Sequence, residues 1–228
     1  LKICQEVERN SNYWGTNVQY KDNKNIQIYT DWMNFFKTNK SFCIYPWINY
    51  NDDGGNNILC ARNKTKIADV GTIENWRTHP EYVDIRQRML RGERMPENCS
   101  TCYEYEDYGM DSYRVHDSLD FIAQLGIRDV KDLEQIDNPY YYEIRSSNKC
   151  NLMCRMCTPL YSHLLKKEFE ENPDLVTDQQ YWRDNYEYSN KLKTINVKTL
   201  THKHLVYING GEPTVMKETY QFLSLIHI

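Results

Sequence analysis

The spacing of hydrophobic residues predicts a β-hairpin in the first half of the chain. Residues 41–60, SFCIYPWINYNDDGGNNILC, combine β-branched and aromatic residues with the turn sequence NDDGG. This combination is typical of two strands joined by a tight turn. Pro46 falls in the first of these strands, so an edge position or a bulge is expected there.

Helical spacing follows the hairpin. Tyr82, Ile85 and Met89 recur at the interval of one helix face, and Gly92 is placed to end that helix. The sequence MPENCSTC then predicts a loop. The segment after it, YEYEDYGMDSYRVHDSLDFIAQLG, predicts further helix with a weak point at Gly109.

The second half of the chain alternates between strand and helix. YYYEIRSSN predicts a strand, YSHLLKKEFEEN predicts a helix, and KHLVYING predicts a second strand that is apolar enough to be buried and parallel. Strand, loop, helix and strand form a βαβ unit, so we expect an α/β fold for this part.

Length and charge set limits on the class of protein. At 228 residues the chain can bury a real core. Its formal net charge of −4 is mild, so no attraction of the whole chain to nucleic acid or to an anionic membrane is expected. No apolar run approaches the roughly 20 residues that a membrane helix needs. We therefore expect no membrane partner, and a nucleic-acid partner is disfavoured.

Eight cysteines carry the candidate chemistry, and they are Cys4, Cys43, Cys60, Cys99, Cys102, Cys150, Cys154 and Cys157. Disulfides are typical of small secreted domains, whereas closely spaced cysteines in a reducing compartment indicate metal or iron–sulfur ligation. No export signal is visible at the N-terminus. We therefore expect a cytoplasmic protein whose thiols bind metal.

Three of these cysteines follow the strand YYYEIRSSN in the spacing C-x3-C-x2-C, at Cys150, Cys154 and Cys157. A 4Fe–4S cluster usually takes four thiolates, so three would leave one iron open to another ligand. The alternative is a structural zinc site that His163 closes as a fourth ligand. The tight spacing on one loop favours the open cluster, because structural zinc sites usually use two separated pairs.

The triplet, together with the sequence NGGEP after the next strand, resembles the radical SAM superfamily. The resemblance implies a partial or full (β/α)6 barrel whose triplet holds a 4Fe–4S cluster that chelates S-adenosylmethionine. It further implies that Gly210, Gly211, Glu212 and Pro213 bind the amino group of that cofactor, and that Met156 takes a position often set against the adenine. Taken alone, GGEP also fits a plain turn. Adjacent glycines let a backbone approach a ligand closely, and Glu212 is a carboxylate suited to an ammonium group.

The segment that holds four of the remaining cysteines resembles the SPASM/twitch auxiliary-cluster domains found in many radical SAM enzymes. This resemblance implies a second, auxiliary 4Fe–4S cluster on Cys43, Cys60, Cys99 and Cys102, here placed before the barrel rather than after it. A zinc knuckle with the same four ligands stays open, because four thiolates suit zinc and iron–sulfur clusters alike. Cys4 has no partner in either scheme and is expected to be a shielded free thiol.

The predicted organisation has four parts. Residues 1–40 are an unassigned N-terminal extension, 41–125 a small α+β auxiliary domain, 126–139 a linker, and 140–228 the first two βα units of a radical SAM barrel. The expected function is reductive cleavage of S-adenosylmethionine to a 5′-deoxyadenosyl radical. A flavodoxin- or ferredoxin-type one-electron reductant and a peptide or protein substrate are expected by family analogy. The alternatives are a non-catalytic binding module stapled by zinc or an iron–sulfur cluster, and an enzyme that modifies nucleic acid.

The ends of the chain carry one further expectation. The sequence begins without Met and stops shortly after Pro213, and its last six residues, LSLIHI, match the translation of a sequencing adapter. The alternative for LSLIHI is a natural apolar end to a helix. A barrel with only two βα units would leave an open, apolar sheet edge. We therefore expect a fragment truncated at both ends that is inactive by itself and prone to aggregate.

Overall fold

The computed structural model describes residues 23–53, 56–63, 67, 75–145, 147–175 and 195–226. Cys4 lies outside the described residues. Within them the chain forms a mixed α/β structure with eight α-helices and one four-stranded sheet. The α/β class predicted from the sequence is therefore confirmed.

The helices are α1 (Asn23–Thr38), α2 (Tyr45–Ile48), α3 (Pro80–Leu90), α4 (Pro96–Asp107), α5 (Tyr113–Leu125), α6 (Val130–Glu134), α7 (His163–Glu171) and α8 (Lys217–Ile226). The strands are β1 (Asn49–Asp53), β2 (Asn56–Ile58), β3 (Tyr141–Arg145) and β4 (Leu205–Asn209). Three short 3₁₀ turns lie at Pro173–Leu175, Val197–Thr199 and Pro213–Val215.

The described residues divide into two compact units. The helical unit comprises 23–48, 62–63 and 77–139, and the sheet unit comprises 49–53, 56–61, 67, 75–76, 140–145, 147–175 and 195–226. This division differs from the predicted domains at 41–125 and 140–228. The reason is that β1 pairs with β3, so the hairpin belongs to the sheet rather than to the cysteine-rich helices.

An aromatic core holds the helical unit together. Trp32 and Phe36 of α1 pack with Phe42, at ring-centroid distances of 5.4 and 5.7 Å, and Phe42 packs with Trp47 at 5.2 Å. Aromatic pairs at such distances contribute about 0.5–1.5 kcal/mol each beyond their area burial. The Trp32 indole N–H also donates to the carbonyl of Ile127 at 3.0 Å. These contacts tie α1 to the segment that follows α5.

The helices predicted from apolar spacing are confirmed. Tyr82, Ile85 and Met89 are buried on one face of α3, and Gly92 follows the helix end with a φ of +78°. Gly109 has a φ of +73° and separates α4 from α5, at the predicted weak point. A left-handed backbone of this kind favours glycine, because other residues carry a steric penalty there.

The sheet has the strand order β2-β1-β3-β4. β1 pairs antiparallel with β2, whereas β1 with β3 and β3 with β4 are parallel. The connection from β3 to β4 contains α7, which confirms the predicted βαβ unit. Arg145, the last residue of β3, lies opposite Asn209, the last residue of β4. The loops that leave these two strands therefore start side by side.

Two local predictions were wrong, and proline explains both. Pro46 lies in the helical turn α2 rather than in an edge strand, and the hairpin strand begins only at Asn49. Pro96 begins helix α4 where a loop was predicted, although the helix is kinked at Cys99, with φ −122° and ψ 20°. Proline suits the first turn of a helix, because the N–H it lacks has no partner there.

The expectation that β4 is buried was also wrong. Leu205 and Tyr207 are 46% and 52% exposed, respectively. β4 is apolar and parallel as predicted, but it is the last strand on its side of the sheet. Leu205 and Tyr207 share one face of β4, because side chains alternate along a strand, and that face is left open among the described residues.

Candidate functional site

The three cysteines of the triplet lie on the loop that leaves β3. Cys150 is buried, Cys154 is exposed, Cys157 is half-buried, and all three are free thiols. The amide of Cys157 donates to the carbonyl of Cys154 at 2.9 Å, so these two residues share a tight turn. Cys150 precedes that turn by four residues.

The GGE segment after β4 packs directly against the loop that carries the triplet. The amide of Gly211 donates to the carbonyl of Ser147 at 3.1 Å, and the amide of Glu212 donates to the carbonyl of Lys149 at 2.8 Å. The two motifs lie 60 positions apart in sequence, at Cys150 and Gly210. The parallel pairing of β3 and β4 brings them together at the carboxyl ends of the strands, where α/β folds collect ligands.

Both glycines are required by this backbone contact. A Cβ atom on Gly210 would lie 2.3 Å from the carbonyl oxygen of Ser147, and one on Gly211 would lie 2.1 Å from that of Lys149. Gly210 also has a φ of +129°. The sequence interpretation gave these glycines the role of admitting a ligand. In the structure they admit the backbone of the triplet loop.

Glu212 is placed as an ionised carboxylate at the surface of the site. Its Oε1 accepts hydrogen bonds from the amide of Thr214 at 3.1 Å and from the Thr214 hydroxyl at 2.7 Å. These bonds hold the pKa of Glu212 below its ordinary value. The same bonds cap the 3₁₀ turn at Pro213–Val215. GGEP therefore is a turn, and it presents a charged carboxylate beside the triplet loop.

His163 contacts the triplet loop through its imidazole ring. Its Nδ1 accepts a hydrogen bond from the amide of Cys150 at 3.1 Å. Met156, the residue expected near adenine, is 95% exposed. Leu152 and Met153 are also exposed on this loop.

The thiols do not converge on one point. In the part of the chain that the structure describes, no group of three or more His, Cys, Asp or Glu side chains is placed to hold a metal ion. The donor set nevertheless fits an iron–sulfur cluster chemically, because three soft thiolates share one short loop.

A buried polar row crosses the sheet beside the site, and the sequence interpretation assigned it no role. The Glu143 carboxylate accepts from Asn51 Nδ2 at 2.6 Å and from Asn209 Nδ2 at 3.0 Å. Glu143 and Asn51 lie opposite each other on β3 and β1. The Asn209 side chain immediately precedes Gly210, so Glu143 fixes the start of the GGE segment. A glutamate in the middle of a strand rich in aromatic and β-branched residues was the signal available in the sequence.

An arginine stacks beside the same loop. The Arg145 guanidinium lies 4.0 Å from the centre of the Tyr161 ring, and its Cγ is 3.4 Å from the position a Cβ on Gly210 would take. Cation–π contacts of this kind contribute about 0.5–2 kcal/mol. Arg145 therefore joins the end of β3 to the segment that follows Cys157.

The second cysteine set is divided between the two units. Cys43, Cys99 and Cys102 belong to the helical unit, and Cys60 belongs to the sheet unit. The pKa of the Tyr103 hydroxyl is raised chiefly by burial and then by the charges that Cys99 and Cys43 take on ionisation. Those two thiols therefore lie near Tyr103.

Charged side chains affect the ionisation of the Cys102 thiol. Burial raises the pKa of its thiol, and the backbone of Arg114 and the charges of Arg62 and Arg114 oppose that rise. The Arg114 guanidinium is buried and forms a two-pronged pair with Glu106, at 2.8 and 2.6 Å. Burial outweighs both arginines, so the pKa of Cys102 stays above its ordinary value and the neutral thiol is favoured.

Comparison with known proteins gave no match to a family model, to a curated protein or to a solved structure. The described helices include none with the length and apolar character needed to cross a bilayer.

Proposed function

We propose that this chain carries the cofactor-binding part of a radical SAM enzyme. The observation that carries the proposal is the backbone pairing of the two motif loops, above all the hydrogen bond from Glu212 N to the Lys149 carbonyl. An unrelated turn after β4 would have no reason to pack on the cysteine loop through two glycines that tolerate no Cβ. β3 and β4 would be the first two strands of a (β/α)6 barrel, in a sheet that the hairpin extends on the other side.

The roles of the residues follow from their positions. Cys150, Cys154 and Cys157 would ligate a 4Fe–4S cluster, and Glu212 would accept from the ammonium group of S-adenosylmethionine beside it. When bound, the cluster would supply the electron that cleaves S-adenosylmethionine to methionine and a 5′-deoxyadenosyl radical. The backbone pairing of Gly211 and Glu212 with the loop at Ser147 and Lys149 would keep the two binding elements in register.

The remaining parts of the proposal extend from this site. Cys43, Cys60, Cys99 and Cys102 would hold an auxiliary 4Fe–4S cluster in a SPASM/twitch-like arrangement. A flavodoxin- or ferredoxin-type protein would deliver the electron, and a peptide or protein side chain would be the substrate. A reducing cytoplasm is the compartment that keeps such thiols available.

Anaerobic reconstitution with iron and sulfide tests the proposal. We expect a brown, oxygen-sensitive protein with broad absorption near about 400 nm, and a reduced-cluster EPR signal that changes on addition of S-adenosylmethionine. A colourless protein that retains zinc and rejects iron would contradict it and would support a zinc-stapled binding module.

Glu212→Gln sharpens this test. The variant should weaken S-adenosylmethionine binding roughly tenfold, because one charge-assisted contact is lost. Glu218→Gln, on the neighbouring helix α8, is the matched control and should bind as the wild type does. Equal binding by both variants would mean that GGEP is only a turn.

A further inference from the structure

Ser162, the N-cap of α7, and His163, its first residue, hold the first part of the triplet loop at three points. The amide of His163 donates to the carbonyl of Asn148 at 2.9 Å, and His163 Nδ1 accepts from the amide of Cys150 at 3.1 Å. The Ser162 hydroxyl donates to the carbonyl of Leu152 at 3.2 Å. Every second residue of the loop from 148 to 152 is therefore tied to the start of one helix.

The chemistry of the Cys150 contact fixes the state of the imidazole. A backbone amide can only donate, so His163 Nδ1 must offer its lone pair, and the ring proton lies on Nε2. A lone pair used in this way is not available to a metal ion. The nitrogen nearest to the cysteine loop thus orients the loop instead of ligating a metal.

The held conformation also surrounds the sulfur of Cys150. The amide of Leu152 points to Cys150 Sγ at 3.4 Å, while the Leu152 carbonyl is bonded to Ser162. Cys150 is only 8% exposed, and Cys154 on the same loop is exposed. Amide donors to cysteine sulfur are one of the means by which proteins set the potential of iron–sulfur clusters.

We propose that Ser162 and His163 form a clamp that preorganises Cys150 as the first thiolate of the site, and that His163 is a positioning residue and not the fourth ligand. The α7 clamp, as we name this pair, keeps the Cys150 amide and sulfur in place before metal arrives. The role of the clamp toward a cluster rests on the proposed function. The geometry of the loop does not depend on that proposal.

The first experiment uses the metal-free full chain. Amide hydrogen exchange at Cys150 is measured by NMR in the wild type, in His163→Leu, which has no acceptor, and in His163→Asn, whose Oδ1 can replace Nδ1. We expect exchange at Cys150 to be about tenfold faster in His163→Leu, as for the loss of one hydrogen bond, and near the wild-type rate in His163→Asn. Equal exchange in all three proteins would overturn the clamp.

The second experiment uses the reconstituted chain, and it follows the reduced-cluster EPR signal that changes on addition of S-adenosylmethionine. A chelator should remove this EPR signal about tenfold faster in His163→Leu and in Ser162→Ala than in the wild type. His163→Asn and the control Ser224→Ala should lose the signal at nearly the wild-type rate. If His163 is instead a ligand, His163→Asn and His163→Leu alike will show altered EPR spectra, and this overturns the proposal.

The two experiments separate the possible failures. Amide protection that follows the predicted order, without any cluster in the wild type, would support the clamp and contradict the proposed function. A cluster that forms equally well and is extracted equally fast in every variant would contradict the role of the clamp toward the cluster and leave the proposed function intact. Circular dichroism identifies any variant that does not fold, and Ser162→Ala, compared with the control Ser224→Ala, then carries the test.

Discussion

The two cysteine regions differ in how the chain assembles them. In the sheet unit, Cys150, Cys154 and Cys157 share one loop, and Cys154 is exposed. In the helical unit, Cys43 precedes α2, and Cys102 lies on α4, and both are buried. The first set depends on local spacing, and the second depends on tertiary packing of separate elements.

The two cysteine regions also differ in the charges around them. The helical set has the buried pair of Arg114 and Glu106 beside it, and a broken pair would leave a charge inside the protein. The triplet loop is instead tied down by backbone contacts to Gly211 and Glu212. We therefore expect cluster binding at the triplet to depend mainly on its three cysteines and on the backbone packing of its loop. We expect the stability of the helical unit to depend mainly on its buried charges.

The largest expected effect separates the two regions directly. Cys154→Ala should remove about half of the iron and sulfide from the reconstituted chain, on the assumption of two 4Fe–4S centres. Cys99→Ala, the matched change in the helical unit, should remove the other half and preserve the EPR response to S-adenosylmethionine. Iron analysis of both variants checks this. Unchanged iron in Cys154→Ala would refute the triplet as a cluster site.

Glu106→Gln should destabilise the helical unit, because it removes the negative charge that pairs with Arg114. The Arg114 side chain is only 2% exposed, so loss of its carboxylate partner should lower the free energy of unfolding by about 3–5 kcal/mol. Glu97→Gln is the control, since Glu97 pairs with Arg88 at an exposed site and should cost little. Urea denaturation measures both. A loss no larger than that of the control would mean that Arg114 is solvated.

Gly211→Ala should destabilise the sheet unit, because the added methyl group would disrupt the backbone contact between the GGE segment and the triplet loop. A methyl group there would meet the Lys149 carbonyl at 2.1 Å, so we expect a loss of about 2–3 kcal/mol in unfolding free energy and a displaced triplet loop. Gly126→Ala is a control of the opposite kind, with open space around it and a φ of +73°. Its cost should be about 1–2 kcal/mol from backbone strain, without any effect on the cluster. Equal effects of the two changes on cluster binding would contradict the contact.

The smallest effect concerns pH in the helical region. Burial raises the pKa of Asp120 to about 6, with His116 opposing and Asp117 adding to the shift. The folded state therefore binds more protons than the unfolded state between roughly pH 4 and 6, and stability falls as the pH rises through that window. Asp120→Asn should remove this loss and stabilise the protein by about 1–2 kcal/mol at pH 7, with no gain below pH 4.

A titration of stability against pH checks that prediction. Asp107 provides the opposite sign, because Arg94 lowers its pKa and its stabilising contribution is lost as the pH falls. Asp107→Asn should therefore flatten the acid side of the profile. A gain from Asp120→Asn that does not depend on pH would mean that the Asp120 pKa is not raised in the folded state.

The sequence alone predicted the parts of the molecule that depend on local pattern. The apolar spacing of Tyr82, Ile85 and Met89 is sufficient for a helix face, and the alternation of strand and helix around Cys150 is sufficient for a βαβ unit. The two motifs were correctly placed after successive strands. The roles of their residues in binding a cofactor stay predictions.

The parts that were missed depend on contacts between distant residues. Nothing local to β1 indicates that it pairs with β3 rather than remaining an isolated hairpin. The contact from His163 to the Cys150 amide spans 13 residues and needs the start of α7 to fold back on the loop. Pro46 was placed in a strand and Pro96 in a loop, although both lie in the first turn of a helix. That signal was in the sequence and was misassigned.

The central claim is that the triplet loop and the GGE segment form one site for a cluster that binds S-adenosylmethionine. The most direct test is electron–nuclear double resonance on the reduced, reconstituted chain with S-adenosylmethionine labelled with ¹⁵N at its amino group. The account predicts a ¹⁵N coupling in the wild type and in Cys99→Ala, and no coupling in Cys154→Ala. A reduced-cluster signal in the wild type that shows no ¹⁵N coupling at saturating S-adenosylmethionine would contradict it.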